Sequence, residues 1–469
     1  MDSTQTPVPC GAPWPHRAVW ATAGELVIDG VAMAALARRY GTPVYVMAER
    51  DVRDRCRAYR SALPGAEIAY AGKAFLCREM VRWIEEEGLW LDLASSGELA
   101  VARTAGFPPE RVLVHGNAKT PRDLAAALDL GVGRIVVDSI GEINRIAAGA
   151  SRARPQRVML RVTPGVTTRT HPAVATGGED QKFGLSISSG AALEAVRRVL
   201  DHPELVLTGL HCHIGSQLGE VRPYLIALRR LVALLAEIRD RHGRVLDELN
   251  LGGGHGVATR PGGAALDVTR LGPRLTATLR AACAACDLPV PRLFVEPGRA
   301  IAAAAGVTLY RVVAIKARPG GGAYVAVDGG MSDNPRPALY GAHHEVALVG
   351  RRSEAPLRTM TIAGRHCEAG DLLAADVALP ADVRPGDLLA FAGTGAYNHA
   401  MASNYNLVAR PPVVAVRAGT ARLIVRAGTA RLIVRAETEA DLLARDMAPA
   451  GVAVRQGRTV EPVGHPGKG

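Results

Sequence analysis

Residues 67–95 read EIAYAGKAFLCREMVRWIEEEGLWLDLAS and contain one strand–helix–strand unit. The β-branched and aromatic runs EIAYAGKA (67–74) and LWLDLAS (89–95) predict strands, and the sequence between them predicts a helix. Six further runs of the same kind follow, at 111–117, 134–139, 157–164, 205–215, 248–254 and 292–298. Eight strands separated by helices predict a parallel α/β fold of the TIM (β/α)8 barrel type, with a doubly wound sheet as the alternative.

The barrel pattern is assigned to residues 43–301, and the pattern changes on both sides of it. Beyond the barrel, strand-like runs alternate with turns, which predicts a mostly β domain over residues 302–447. The segment 21–42 contains one strand and one helix and is expected to pack with the β domain. Residues 1–20 are predicted to form a disordered leader, and residues 448–469 a disordered tail.

A nine-residue repeat interrupts the β domain, because RAGTARLIV at 417–425 recurs at 426–434. Two copies are too few for a repeat architecture, so we interpret them as a local duplication in one hairpin. One more turn and strand would reverse the chain direction and displace the following helix. We therefore expect one copy to bulge out or to extend the hairpin as a mobile loop.

The composition excludes several classes of function. The net charge is +11, but the arginines are spread along the chain and aromatic residues make up only 4%, which favours a small anionic ligand over nucleic acid. No apolar run approaches ~18 residues, so no membrane span is expected. The absence of an apolar signal segment and the seven scattered cysteines, which form no disulfide framework, predict a cytoplasmic location.

Lysine is unusually rare in this chain, since only five of the 56 Lys and Arg residues are lysines. Arg cannot form a stable imine and a desolvated Lys can, so each lysine is a candidate for chemistry. Lys73 ends the first predicted strand, where the catalytic residues of such barrels lie. A lone lysine at a strand end is more often a solvated surface residue, but this position predicts a Schiff-base lysine for an aldehyde cofactor.

Other strand ends carry groups that fit a phosphorylated cofactor. Gly252–Gly254 follow the strand ELNL and would let backbone N–H groups approach a phosphate, to which Ser216 and Arg299 could add a hydroxyl and a cation. Glu296 could stabilise a protonated ring nitrogen, which favours decarboxylation over racemisation. In isolation, a glycine run is as often a flexible loop, and a strand-end Glu is more often part of a structural ion pair.

His211 and His213 share one face of a strand, which raises the alternative of a metal site. No third ligand is placed nearby in the sequence, so no metal is expected. We prefer the interpretation that the imidazole of His213 stacks on a flat ring.

The chain resembles the diaminopimelate decarboxylases, which are fold-type III enzymes dependent on pyridoxal 5'-phosphate. The resemblance covers roughly residues 25–445 and rests on ten motifs in the family's order and spacing. These motifs are YAGKAF, LDLASSGEL, HGNAK, EDQKFG, GLHCHIGSQ, LNLGGG, VEPGRA, VDGGMSDNPRPALYGA, HCEAGD and TGAYNHAMASNYN. The resemblance implies the decarboxylation of meso-2,6-diaminopimelate to L-lysine and CO2, the last step of lysine biosynthesis.

The resemblance also implies roles for particular residues. It implies that Lys73 attaches the cofactor covalently, that His213 stacks on its ring and that Glu296 pairs with the ring nitrogen. The residues implied for cofactor binding at the phosphate end are Ser216, Gly254, Gly298, Arg299 and Tyr397. Those implied for the far end of the substrate are Arg299, Arg336, Tyr340, Glu368 and Tyr397. Cys367 is implied as the proton donor, reaching the site from the neighbouring subunit of a homodimer with shared active sites.

Three departures from the family pattern loosen the substrate assignment: His255 after the glycines, Ala369 in HCEAGD, and Ser96. One alternative is a related decarboxylase acting on ornithine, arginine or a secondary-metabolite amino acid. The CE-x-GD and RPALY motifs argue against the simple diamine-forming substrates. A catalytically silent homologue is disfavoured because both Lys73 and Cys367 are present, and Glu296 disfavours an amino-acid racemase.

Overall fold

The computed structural model describes residues 6–7, 13–21, 23–166, 178, 181–319, 321–417 and 429–435. A small antiparallel sheet begins the chain, with strands β1 (Thr6–Pro7), β2 (Ala18–Trp20), β3 (Leu26–Ile28) and β4 (Val31–Ala32). Helix α1 (Met33–Tyr40) and strand β5 (Val44–Ala48) follow. Half of the predicted disordered leader, residues 6–7 and 13–20, is described and ordered: it contains β1 and β2, and Trp14 is 2% exposed. The leader prediction is therefore wrong for these residues, because Trp14 and Ala18 pack into an apolar cluster. The predicted tail lies wholly outside the described residues.

The central domain is a closed parallel barrel, and all eight predicted strands are present. They are β6 (Glu67–Ala71), β7 (Trp90–Leu93), β8 (Val112–Val114), β9 (Arg134–Val137), β10 (Gln156–Thr163), β12 (Leu205–His211), β13 (Glu248–Asn250) and β14 (Arg292–Val295), with the short β11 (Leu185–Ser186) attached to β10. The barrel closes because β14 pairs in parallel with β6, where Phe294 lies opposite Glu67. This closure confirms the barrel over a doubly wound sheet.

Helices surround the barrel and bury a continuous apolar layer against its strands. They are α2 (Glu49–Ala62), α3 (Arg78–Glu86), α4 (Ser96–Thr104), α5 (Pro121–Leu130), α6 (Ile140–Gly149), α7 (Ala191–Leu200), α8 (Arg222–His242), α9 (Val268–Ala285) and the short α10 (Arg299–Ala302). The barrel interior is packed with apolar side chains such as Trp90, Met159 and Phe294. Since the interior is filled, ligands have access only at the strand ends.

The second domain is mostly β, as predicted. It contains β15 (Gly306–Ala317), β16 (Ala323–Val327), helix α11 (Arg336–Tyr340), β17 (Val346–Val349), β18 (Leu357–Ala363), β19 (Leu372–Pro380), β20 (Leu388–Ala392), β21 (Val413–Arg417) and β22 (Thr429–Val434). Strand β5 belongs to this sheet, because it pairs antiparallel with β15 and parallel with β21. Placing residue 43 at the start of the barrel was therefore too early, since VYVMA forms a buried strand of the other sheet.

The N-terminal segment packs on the β domain and also contacts helix α2 beside the barrel, where Arg50 Nε donates to Asp29 Oδ1 at 2.9 Å. Leu26, Ile28 and Met33 share an apolar cluster with Val307 and Leu309 of β15. The chain therefore enters the β sheet through β5, forms the barrel, and returns to the same sheet.

The two copies of the repeat have different places in the structure. Strand β22 lies within the second copy and pairs antiparallel with β21, with Arg417 opposite Thr429. Residues 418–428, which include most of the first copy, lie outside the described residues, so the expected bulge stays a prediction. Among the helices that the structure describes, none has the length and apolar character needed to cross a membrane.

Candidate active site

A cavity of about 410 Å³ opens at the C-terminal ends of the barrel strands. Ten of the twelve predicted site residues line it: Lys73, His213, Ser216, Gly254, Glu296, Gly298, Arg299, Arg336, Tyr340 and Tyr397. A second cavity of about 330 Å³ shares four of these residues and continues toward the β domain. The barrel loops and the β domain thus enclose one polar site.

Lys73 sits in a short 3-10 turn that directly follows β6. Its side chain is about half exposed, and its Nζ lies 3.0 Å from Oδ2 of the buried Asp92 at the end of β7. Burial by itself lowers the pKa of Lys73, but the negative charge of Asp92 outweighs it and raises the pKa above the ordinary value. Lys73 is therefore an ammonium when no aldehyde is present.

The glycine turn after β13 is held rigidly by its neighbours. Gly254 has φ +86°, and a Cβ there would lie 1.9 Å from the carbonyl oxygen of Gly215, so only glycine fits. The carbonyl of Gly254 accepts a hydrogen bond from the N–H of Leu218 at 2.9 Å, and the hydroxyl of Tyr224 donates to the carbonyl of Gly253 at 3.0 Å. This close packing fixes the backbone of the turn.

His255 departs from the family pattern but is accommodated in the core. Its ring stacks on Tyr59 with centroids 5.5 Å apart, and its Nδ1 lies 2.7 Å from the Tyr59 hydroxyl. Burial lowers the pKa of His255 to about 4, so the ring is neutral. His255 therefore helps to line the cavity without adding a charge to it.

Two arginines place positive charge at the wall of the cavity. Arg299 lies 4.6 Å from the ring centroid of Tyr397, and Arg336 lies 5.7 Å from the same centroid. Among the described residues, no carboxylate acts on either guanidinium, and Nε of Arg299 is buried with no hydrogen-bond partner. Burial, followed by repulsion from Arg299, lowers the pKa of Arg336 to about 10. Half-buried cations without an acidic partner are suited to bind an anion.

Glu296 is 4% exposed at the floor of the cavity, among three nitrogen groups. Asn250 Nδ2 donates to Oε1 at 2.7 Å, and His211 Nε2 lies 3.2 Å from Oε2. His115 Nε2 lies 2.8 Å from Oε1, although its N–H does not point along this line. Burial raises the pKa of Glu296, but His115 and His211 outweigh it and hold the pKa well below the usual range.

The cluster of His115, His211 and Glu296 could also be considered as a metal site, since its ligand atoms lie within 4.8 Å of one another. Both carboxylate oxygens of Glu296 already accept hydrogen bonds, from His211 Nε2 at 3.2 Å and from Asn250 Nδ2 at 2.7 Å. These contacts favour a hydrogen-bonded carboxylate over a metal ligand.

His213 projects into the same cavity from the segment after β12. The N–H of Gly253 donates to its Nδ1 at 3.2 Å, which places the ring proton on Nε2. Burial lowers the pKa of His213 well below its usual value. A neutral, oriented imidazole suits stacking against a planar ligand.

Cys367 and Glu368 do not join the cavity of their own chain, and both are exposed on the β domain. Their turn is held by His366, whose Nε2 lies 2.8 Å from Ser332 Oγ and whose Nδ1 lies 3.0 Å from Asn406 Oδ1. Large apolar side chains are also exposed in this domain, including Leu339, Tyr405 and Leu407. The turn that carries Cys367 and Glu368 is thus held in place outside the lining of the chain's own cavity.

Sequence reasoning gave no role to Asp92, His115, Asn250 or Arg161, although each lies at or near the end of a barrel strand. Asp92 pairs with Lys73, Asn250 and His115 contact Glu296, and Arg161 lines the cavity. Their position at strand ends was the available signal. Their partners lie on other strands, so the pairing could not be read from the chain order.

Comparisons with known proteins agree with this geometry. Residues 49–303 match the family model described as pyridoxal-dependent decarboxylase, pyridoxal binding domain. The chain is 56% identical to diaminopimelate decarboxylase of Actinosynnema pretiosum subsp. auranticum over 90% of this chain and 93% of that protein. It is 47% identical to diaminopimelate decarboxylase of Mycobacterium tuberculosis over 88% of this chain and 94% of that protein.

Solved structures give the same result. The crystal structure of diaminopimelate decarboxylase from M. jannaschii in complex with L-lysine matches with a TM-score of 0.83 and 32% identity, covering 91% of this chain and 96% of that one. The enzyme from Helicobacter pylori complexed with L-lysine matches with a TM-score of 0.79 and 27% identity, covering 88% and 98%.

Proposed function

The chain belongs to the diaminopimelate decarboxylase family, and from this premise we propose how its residues share the reaction. The protein is a pyridoxal-phosphate-dependent carboxy-lyase that converts meso-2,6-diaminopimelate to L-lysine and CO2 in lysine biosynthesis. The observation that carries the proposal is the cavity that joins a lysine, an ionised Glu296 and two arginines without acidic partners.

The residues present fit pyridoxal phosphate. The buried Nε of Arg299 lacks a partner, and a hydroxyl is at hand because an Nη of Arg299 donates to Ser216 Oγ at 3.3 Å. The glycine turn at Gly254 and the Gly298 backbone would bring N–H groups to the phosphate, with Tyr397 closing the same end. With the phosphate held at this end, His213 and Glu296 would be the residues available to hold the ring.

Lys73 would hold the aldehyde, and Asp92 would hold the proton of its free amine. Glu296 would accept a hydrogen bond from the ring nitrogen, and His213 would stack on the ring. When bound, the cofactor supplies an electron sink for the electron pair left at Cα after CO2 departs. Glu296 maintains this sink because an ionised carboxylate stabilises a protonated ring nitrogen.

The substrate carries a second amino acid group at its far end, which needs both cations and an anion. Arg336, Arg299, Tyr340 and Tyr397 would bind the distal carboxylate. Glu368 would bind the distal ammonium, and Cys367 would return one proton to Cα.

A second copy of the chain brings Cys367 and Glu368 to the site, forming a homodimer with shared active sites. The exposure of both residues and of Leu407, which is 79% exposed, supports this arrangement. Mixing inactive Lys73→Ala and Cys367→Ala proteins under conditions of subunit exchange should restore activity. No recovery from verified mixed dimers would contradict the shared site.

Release of CO2 from a panel of amino acids tests the activity. We expect the meso isomer of diaminopimelate to be decarboxylated to L-lysine, and the other isomers, ornithine, arginine and lysine to react far more slowly. The Lys73→Ala variant is the control for background release. Faster release from ornithine or arginine would assign the chain to a related decarboxylase.

We also propose a cytoplasmic location, which fits the six described cysteines, all of them free thiols.

A further inference from the structure

Two buried residues that contact Glu296, Asn250 and His211, have no assigned role. Asn250 ends β13 and is 0% exposed, and His211 ends β12 and is 1% exposed. Burying an amide and an imidazole beside a carboxylate is costly unless the polar groups satisfy one another. The arrangement therefore indicates a specific function for the pair.

The amide of Asn250 can face only one way. Its Oδ1 accepts a hydrogen bond from the N–H of Gly252 at 2.8 Å, so its Nδ2 must be the atom 2.7 Å from Glu296 Oε1. Reversing the amide would place an N–H against an N–H and an oxygen against an oxygen. Asn250 thus links Glu296 to the first residue of the glycine turn.

His211 is neutral where it contacts Glu296. Burial lowers the pKa of His211 to about 4, and its Nδ1 has no partner among the described residues. The ring proton therefore resides on Nε2, which donates to Glu296 Oε2 at 3.2 Å. His115 also approaches Oε1 at 2.8 Å, but its N–H is not aligned, so the argument rests on the other two donors.

A carboxylate has about four lone-pair sites. Asn250 occupies one on Oε1 and His211 one on Oε2, which leaves each oxygen a site for another donor. Two fixed donors restrict rotation of the carboxylate and stabilise its charged form over its protonated form. The remaining lone-pair sites of the Glu296 carboxylate then point in fixed directions and can accept a further hydrogen bond.

We propose that Asn250 and His211 are positioning residues that keep Glu296 ionised and oriented toward the ring nitrogen of pyridoxal phosphate. The inference rests on the proposed role of Glu296 and deepens it. It makes the electron sink depend on a three-residue unit drawn from β12, β13 and the end of β14. Neither positioning residue needs to touch the substrate.

The test compares two ligands that differ only at the ring nitrogen. Cofactor-free protein is titrated with pyridoxal phosphate and with its 1-deaza analogue, which has C–H in place of the nitrogen. The analogue keeps the aldehyde and the phosphate, so attachment to Lys73 and anion binding are unchanged. The measured quantity is the dissociation constant of the analogue divided by that of pyridoxal phosphate. This measurement requires no turnover.

The variants form matched sets. His211→Gln keeps an N–H donor of similar reach and should preserve the wild-type ratio within about threefold. His211→Leu and Asn250→Leu remove the donor and should reduce the ratio on the order of tenfold or more, because a hydrogen bond to a charged group contributes roughly 1.5–3 kcal/mol. Asn250→Ala and His211→Ala serve where leucine prevents folding, as judged by circular dichroism.

The outcomes separate the two levels of the argument. A wild-type ratio near one would refute the pairing of Glu296 with the ring nitrogen, and with it part of the proposed function. A normal wild-type ratio that persists in the donor-free variants would overturn the role of Asn250 and His211. Equal weakening of both ligands would show that the two residues only maintain the fold.

Discussion

At the scale of single residues, the Lys73–Asp92 pair links cofactor attachment to pH. Lys73 Nζ lies 3.0 Å from Asp92 Oδ2, and although desolvation within the cavity lowers the pKa of Lys73, the charge of Asp92 raises it further. Only the neutral amine can attack an aldehyde, so attachment of added pyridoxal phosphate should become faster as the pH rises.

Asp92→Asn removes the charge that raises this pKa. We predict that the pH profile of attachment, followed by visible absorbance of the cofactor-free protein, moves to lower pH. Asp129→Asn changes an exposed carboxylate and serves as the control. An unmoved profile in Asp92→Asn would show that Asp92 does not set the protonation of Lys73.

Glu368→Ala should weaken the substrate much more than the cofactor. A charge-assisted contact with the distal ammonium contributes roughly 1.5–3 kcal/mol, which corresponds to a rise in KM of about tenfold to 150-fold. Glu354→Ala removes an exposed glutamate of the same domain and should leave KM unchanged. If the affinity for pyridoxal phosphate fell in parallel with that for diaminopimelate, Glu368 would be a structural residue.

Single residues could be predicted where their type was unusual for their position. Lys73 was visible because lysine is rare, and Gly254 because glycines cluster after a strand. His211 was noticed only as a metal alternative, because its partner Glu296 is 85 residues away along the chain. Contacts of this kind depend on which strands become neighbours, and residue type alone does not determine that.

At the scale of elements, the barrel strands could be predicted because both of their faces are buried, which gives nearly continuous apolar runs. Strand β5 was misplaced for the same reason, since all five of its residues are buried. Its membership of the β domain depends on pairing with β15, which begins 258 positions after the end of β5. Local sequence contains no signal for that choice.

Lys119 illustrates how a buried charge fixes two elements. Its Nζ donates to the carbonyls of Gly116 and Val136 and to Glu142 at 2.6–2.9 Å, and its side chain is 0% exposed. Lys119→Met should reduce the free energy of unfolding by about 3–5 kcal/mol, because it leaves Glu142 charged and unpaired. The exposed Lys316→Met is the control. A loss below 1 kcal/mol in chemical denaturation would contradict this role.

The duplication should be dispensable. Deleting residues 417–425 replaces Arg417 by Arg426 and keeps Thr429 in register with it, so the β21–β22 hairpin is joined by Ala427 and Gly428 alone. Shortening the connection lowers the entropic cost of closing the loop by about 1–2 kcal/mol. This gain offsets backbone strain in a tight turn. We expect activity to be unchanged and the melting temperature to be equal or higher. Loss of folding would show that the first copy is an integral part of the sheet.

At the scale of the whole molecule, the site needs both domains. The barrel supplies Lys73, His213 and Glu296, and the β domain supplies Arg336 and Tyr397 to the same cavity. The domains are joined at the site itself, because the N–H of Tyr397 donates to the carbonyl of Ala74, the residue after Lys73. Two domains could be predicted from the change in pattern, whereas the proposed dimer depends on family resemblance and on the exposure of Cys367.

The central claim is that the cavity at the barrel mouth holds the cofactor on Lys73. The most direct measurement is borohydride reduction of the protein loaded with pyridoxal phosphate, followed by mass mapping of its peptides. We predict a single pyridoxyl group on Lys73, and none in a Lys73→Ala variant that remains folded. A reduced adduct on another lysine, such as Lys182, or an adduct that persists in the variant, would contradict the account.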